Sequence, residues 1–208
     1  RLVRTWRPGG NANPLQRLGL MIARRRIRSN NQAVGAPTMP LPRPLERILD
    51  LARWAPSGDN DQPWRFEILD EEHLLVHGSD TRDWCVYDLD GSSSQIALGA
   101  LLETIRIAAS GEGMRAQATL RPDSPETAPL IDVRLCRDDG VQPDALLPFI
   151  TSRVTQRKPF TTRRLSDAQK QSLEQAVGKG YTVRWLEGDA ARRRMARLLF
   201  QNAHIRLT

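Results

Sequence analysis

Residues 94–109, SQIALGALLETIRIAA, carry apolar side chains on nearly every side of a helix. Ile96, Ala97, Ala100, Leu101, Ile105 and Ala108 make one face, and Leu98, Leu102 and Ile107 fill much of the rest. A helix with so little polar surface has to be covered, in its own core or against a partner subunit. Gly111 and Gly113 end it. Whatever this chain folds into must wrap that segment.

The material for wrapping lies on both sides. Leu45, Ile48, Leu49 and Ala52 recur at helical spacing behind Pro44, which suits a first helical turn. That helix must stop near Ala55, because Pro56 disfavours helical geometry before it. A polar loop, SGDNDQ, leads into WRFEIL, where Trp64, Phe66 and Ile68 alternate as on a half-buried strand. Asp70-Glu71-Glu72 turns the chain, and Leu74 to His77 pairs back as a hairpin. Beyond the central helix, Arg115–Leu120 and Leu130–Cys136 alternate as strands, the second with Ile131, Val133 and Leu135 on one side. A short helix is expected around Asp144–Ile150. Ser166 and Gln169 form a capping box for a helix ending near Gly178. Tyr181 to Leu186 alternates as a strand, and Asp189 caps a last helix carrying Met195, Leu198 and Leu199. Helices and antiparallel strands mixed without βαβ alternation make the class α+β.

The 208 residues suffice for one domain with a substantial core, or for a domain plus a short extension. No apolar run approaches the ~20 residues that cross a bilayer, so no membrane span is expected. The net charge of +7 is concentrated in residues 1–40, which hold eight arginines and no acidic residue. Without those eight, 23 basic residues face 24 acidic ones in residues 41–208. Residues 1–40 therefore read as a basic extension, with GAPTMPLPRP (35–44) as its linker into a domain over 41–208. An arginine-rich, acid-free segment suits a phosphate backbone, anionic lipid or a transit peptide, and equally an ordinary solvated stretch; nucleic acid is not the expected partner. Cys85 and Cys136 show no CxxC spacing. One disulfide is compatible with them, but a cytoplasmic location with reduced thiols is the expectation.

Signatures of common hydrolases, phosphate-binding loops and zinc proteases are absent. His73 and His77 share one face of a strand with no third ligand nearby in sequence, which reads as a surface pair. Ser57 has no base nearby to make it a nucleophile. What remains is Ala55-Pro56-Ser57-Gly58-Asp59-Asn60-Asp61-Gln62-Pro63-Trp64, between a helix and a strand. Its prolines stiffen the loop, and Ser57, Asn60 and Gln62 offer neutral donors and acceptors within six residues. Such a loop suits a flat heteroaromatic ligand, and it also suits a plain polar capping turn.

The run LERILDLARWAPSGDNDQPWRFEIL resembles the A-P-S-x-x-N-x-Q-P-W signature of the FMN-dependent nitroreductases. SQIALGALLETIRIAASGEG is similar to the family's long central helix, and SRVTQRKPF (152–160) to its arginine-rich phosphate motif. The arginine motif follows the loop here, whereas in ordinary members it precedes it. That order resembles a divergent branch with two fused half-domains, whose second half would begin near Arg153 and continue past residue 208. The resemblance implies a nitroreductase-like antiparallel sheet flanked by helices around a buried central helix. It implies that Pro56, Ser57, Asn60 and Gln62 line the ring and ribityl chain of FMN, and that Arg153, Thr155 and Arg157 hold its phosphate. It also implies electrons from NAD(P)H passing to a small-molecule substrate, and a homodimer or an intramolecular pseudo-dimer. A flavin-storage protein without turnover and an interaction module with a decayed site are the rival readings.

Overall fold

The computed structural model describes residues 43–85, 88–161, 163–178 and 180–207, the side chains of 205–207 excepted; the basic segment 1–40 lies outside them. They form two compact units, one ending at Arg153 and one beginning at Val154.

In the first unit, helix α1 (Pro44–Ala52) starts at its proline and buries Leu45, Ile48 and Ala52. Strands β1 (Trp64–Ile68) and β2 (His73–Gly78) form the expected hairpin. Helix α2 (Ser92–Ser110) follows, then β3 (Met114–Leu120) and β4 (Leu130–Arg137). The four strands make one antiparallel sheet in the order β1-β2-β4-β3. Sequence neighbours pair at each edge, and β4 returns between β2 and β3. The architecture is therefore α+β, an antiparallel sheet with helices against it.

Register sorts the side chains as the alternation requires. Leu74 pairs with Val133, Val76 with Ile131, and Ala116 with Leu135. This face meets α1 and α2 in one core with Trp64, Leu101, Ile105 and Met114. The outward face carries Arg65, Glu67, His73, His77 and Asp132, with Leu75 buried among them. Glu67 and Asp132 lie opposite Leu75 on its two sides, and each holds a histidine, His77 and His73 respectively. The two histidines are thus hydrogen-bonded to carboxylates on the neighbouring strands. Asp132 also accepts two bonds from Arg121, and Arg121 followed by His73 holds its carboxyl well below the usual carboxylate range.

Helix α2 is buried around most of its circumference by the first unit itself. The exposed stripe runs through Ser92, Gln95, Ile96, Gly99, Glu103 and Arg106. Ile96, expected on the covered face, is 73% exposed because it falls on this stripe, one turn from the helix start. Gly78 lets the helix descend onto β2, since a Cβ there would stand 2.7 Å from a Leu98 methyl and 2.8 Å from Pro129. The helix expected at Asp144–Ile150 shrinks to a single 3-10 turn, Leu147–Phe149, where Pro148 removes a donor. Leu147 and Ile150 still reach the core.

In the second unit, α3 (Asp167–Ala176) begins at the expected box: Gln169 N–H donates to Ser166 Oγ, and Ser166 N–H to Gln169 Oε1. Helix α4 spans Asp189–Leu207. Tyr181–Leu186 is not a strand. The described residues of this unit supply no other strand for its amides to join, and its side chains attach to α3 instead. Trp185 Nε1 donates to Glu174 at 2.6 Å, and Lys170 donates to Glu187 at 2.6 Å.

Candidate functional site

The loop after α1 has an unusual backbone. Ser57 is extended, Gly58–Asn60 makes a 3-10 turn, and Asp59, Asn60 and Gln62 have φ of 47°, 60° and 50°. Left-handed non-glycine residues cost on the order of 1–3 kcal/mol each and persist only where surrounding bonds impose them. Aspartate and asparagine tolerate this region best, so the composition GDND already fits it.

Those bonds are local. Gln62 N–H donates to Ser57 Oγ at 3.0 Å, and Gln62 Nε2 donates to the Arg53 carbonyl at 2.8 Å. Asp61 N–H reaches the Gly58 carbonyl, and Ser79 N–H takes the Pro63 carbonyl. Trp64, 4% exposed, anchors the far end in the core. Ser57 and Gln62 therefore shape the loop first. The Ser57 hydroxyl proton and Gln62 Oε1 remain for a ligand, together with the exposed amide of Asn60 and the exposed ring of Pro56.

Of the three residues expected to hold a phosphate, Arg153 closes the first unit. Its Nη2 donates to the Trp54 carbonyl at a long 3.4 Å, bridging 99 residues of chain to the end of α1. It stays exposed, so its other donors face solvent. Thr155 and Arg157 belong to the second unit, where both are exposed.

Beside the loop lies a polar cluster that sequence reading did not single out. Asp88, 1% exposed, accepts from the amides of Ser93 (2.8 Å) and Ser94 (3.2 Å) at the start of α2. It also accepts from the hydroxyls of Ser94 (2.5 Å) and Thr81 (2.6 Å). Burial alone pushes this carboxyl up. The bonds from Ser94, Thr81 and the two amides outweigh it and hold Asp88 well below the ordinary carboxylate range. Gly91 turns the chain into α2 at φ 84°, where a Cβ would lie 2.6 Å from Arg82 Nη2 and 2.7 Å from Asp80 Oδ2. The signal was present as DLDGSSS ahead of the apolar helix, a run of capping residues. This cluster pins α2 and the strand end beside the loop.

Among the described residues no helix is long and apolar enough to cross a membrane. No protein-family model matches the chain, and no curated protein matches it. Among solved structures, a nitroreductase family protein from Clostridium difficile 630 is similar at 21% sequence identity and a TM-score of 0.38. The likeness covers 59% of this chain and 86% of that one.

Proposed function

We propose that this chain is an FMN-binding oxidoreductase of the nitroreductase type. The observation that carries the reading is the meeting of two sequence landmarks far apart in the chain. Arg153, from the arginine motif, bonds the carbonyl of Trp54 immediately before the Ala55–Trp64 loop. A cation beside a stiffened loop of neutral donors and acceptors has the composition that a flavin phosphate with a polar ring edge needs.

The residues present fit that group on the loop side. The Ser57 hydroxyl and the Asn60 amide can donate to ring or ribityl oxygens, and Gln62 Oε1 can accept from a ring N–H. Gln62 is held by its bonds to Ser57 and Arg53, so that acceptor is preset. Arg153 offers charge-assisted donors to a phosphate. Bound FMN would supply the hydride chemistry, from NAD(P)H to a small acceptor such as a nitroaromatic or quinone; the protein's share is position and polarity. This division agrees with a loop that carries no acid–base pair.

The test is an FMN titration of the purified chain, read by flavin fluorescence and by the absorption retained after desalting. Flavin should be retained, and Arg153→Ala should weaken binding about 10-fold or more, the worth of one charge-assisted hydrogen bond. No retained flavin sinks the reading, and unchanged affinity in the variant removes Arg153 from it. Turnover of NADH or NADPH with a quinone then separates an enzyme from a flavin store.

A further inference from the structure

The Asp61–Trp64 end of the loop is one wall of an open cleft of about 340 Å³, whose other wall comes from β1, the end of β2 and Trp84. That volume sits at the small end of the ~300–1,000 Å³ typical of small-molecule sites. Three lining groups stand out. Trp84 leaves 63% of its surface exposed, although an indole is among the most favourable side chains to bury. Arg65 and Asp61 line the same cleft, and neither has a side-chain bond or ion pair among the described residues. On the same unit Arg121 pairs with Asp132, Arg115 with Asp138 and Arg47 with Glu112. The cleft histidine, His77, is engaged by Glu67.

We infer that this cleft is a binding site for a neutral, flat, two-ring heteroaromatic with an acceptor edge and a donor edge, an amino-oxo purine of the guanine type. An uncovered indole face asks for a planar ring to stack on it. A free guanidinium fork matches two adjacent ring acceptors, as it matches the O6 and N7 atoms of guanine. A free carboxylate accepts only, so it takes the ring N–H and exocyclic amine on the other edge. An anionic ligand would satisfy Arg65 and be repelled by Asp61; a cationic one would do the reverse. A neutral ring with both edges satisfies both. The cleft shares Gln62 with the flavin reading, but Arg153, which carries that reading, lies at the opposite end of the loop.

The experiment titrates the 208-residue chain, freed of any flavin, with guanosine, inosine and 7-deazaguanosine, by calorimetry and ligand-observed NMR. Guanosine should bind. Inosine, which lacks the exocyclic amine facing Asp61, and 7-deazaguanosine, which lacks N7, should each bind about 10-fold more weakly. Trp84→Ala should weaken guanosine by about 10-fold, the worth of one stacked base, and Trp84→Phe should restore most of it. Arg65→Gln should abolish the preference for guanosine over 7-deazaguanosine, a readout that a merely structural role would not move. Arg153→Ala should leave guanosine affinity unchanged even as FMN affinity falls, so the two readings fail separately. Absence of guanosine binding, equal binding of the three nucleosides, or indifference to Trp84→Ala overturns the proposal. Trp84 and Arg65 are exposed, and far-UV circular dichroism checks that both variants are folded.

Discussion

Replacing Asp88 with alanine tests how the long helix is held. Four donors converge on this carboxylate: two amides of the first turn of α2 and the hydroxyls of Ser94 and Thr81. In the alanine variant the Thr81 and Ser94 hydroxyls keep their mutual bond at 2.9 Å, so they are not both stranded. The Ser93 and Ser94 amides lose their acceptor altogether. A lost helix cap is worth about 1 kcal/mol, and buried donors left unsatisfied add about 1–3 kcal/mol. The expected loss is therefore about 2–4 kcal/mol, a large part of the 5–15 kcal/mol typical of a domain. Asp88→Asn keeps an acceptor oxygen but turns an amine toward donors, and should fall between the two. Urea unfolding followed by far-UV circular dichroism at pH 7 measures this as a lower midpoint at unchanged slope.

The same side chain predicts a pH signature. Asp88 and Asp132 both have folded pKa values below the ordinary carboxylate value. Their stabilisation is complete above the unfolded value of about 3.9 and is lost as pH falls through the folded values. The parent chain should weaken below about pH 4, and Asp88→Ala should weaken less steeply because its own share is already gone. A variant within about 0.5 kcal/mol of the parent, with the same acid limb, would refute the account of Asp88 as the anchor of α2.

Two further outcomes are expected beyond the flavin and nucleoside titrations above. Gly78→Ala drives a Cβ to 2.7 Å from Leu98 and 2.8 Å from Pro129, and should cost about 1–3 kcal/mol of overpacking; an unshifted melting temperature would mean that α2 and β2 are not in such close contact. Ser57→Ala removes the acceptor of the Gln62 amide and should cost about 1 kcal/mol while weakening FMN. An effect on stability with none on FMN would restrict Ser57 to shaping the loop.

The periodic elements could be read before folding because their signals are local. Alternation in WRFEIL and LIDVRLC, the Pro44 start of α1 and the Ser166–Gln169 box each need only neighbouring residues, and the structure has all four. The near-uniform apolarity of residues 94–109 likewise announced a covered helix. Local pattern did not say what covers it, and the answer is α1 and the sheet of its own unit. It misjudged Ile96, whose solvent-facing stripe is set by where those partners stand. It also misread Tyr181–Leu186, because a strand exists only where another strand offers its amides. Tertiary structure alone decided that β4 lies between β2 and β3. It decided that Arg153 meets Trp54 across 99 residues. It also decided that Asp88 is buried yet charged, because the start of a helix and two hydroxyls surround it. Each of these depends on contacts between residues far apart in the chain, which periodicity does not encode.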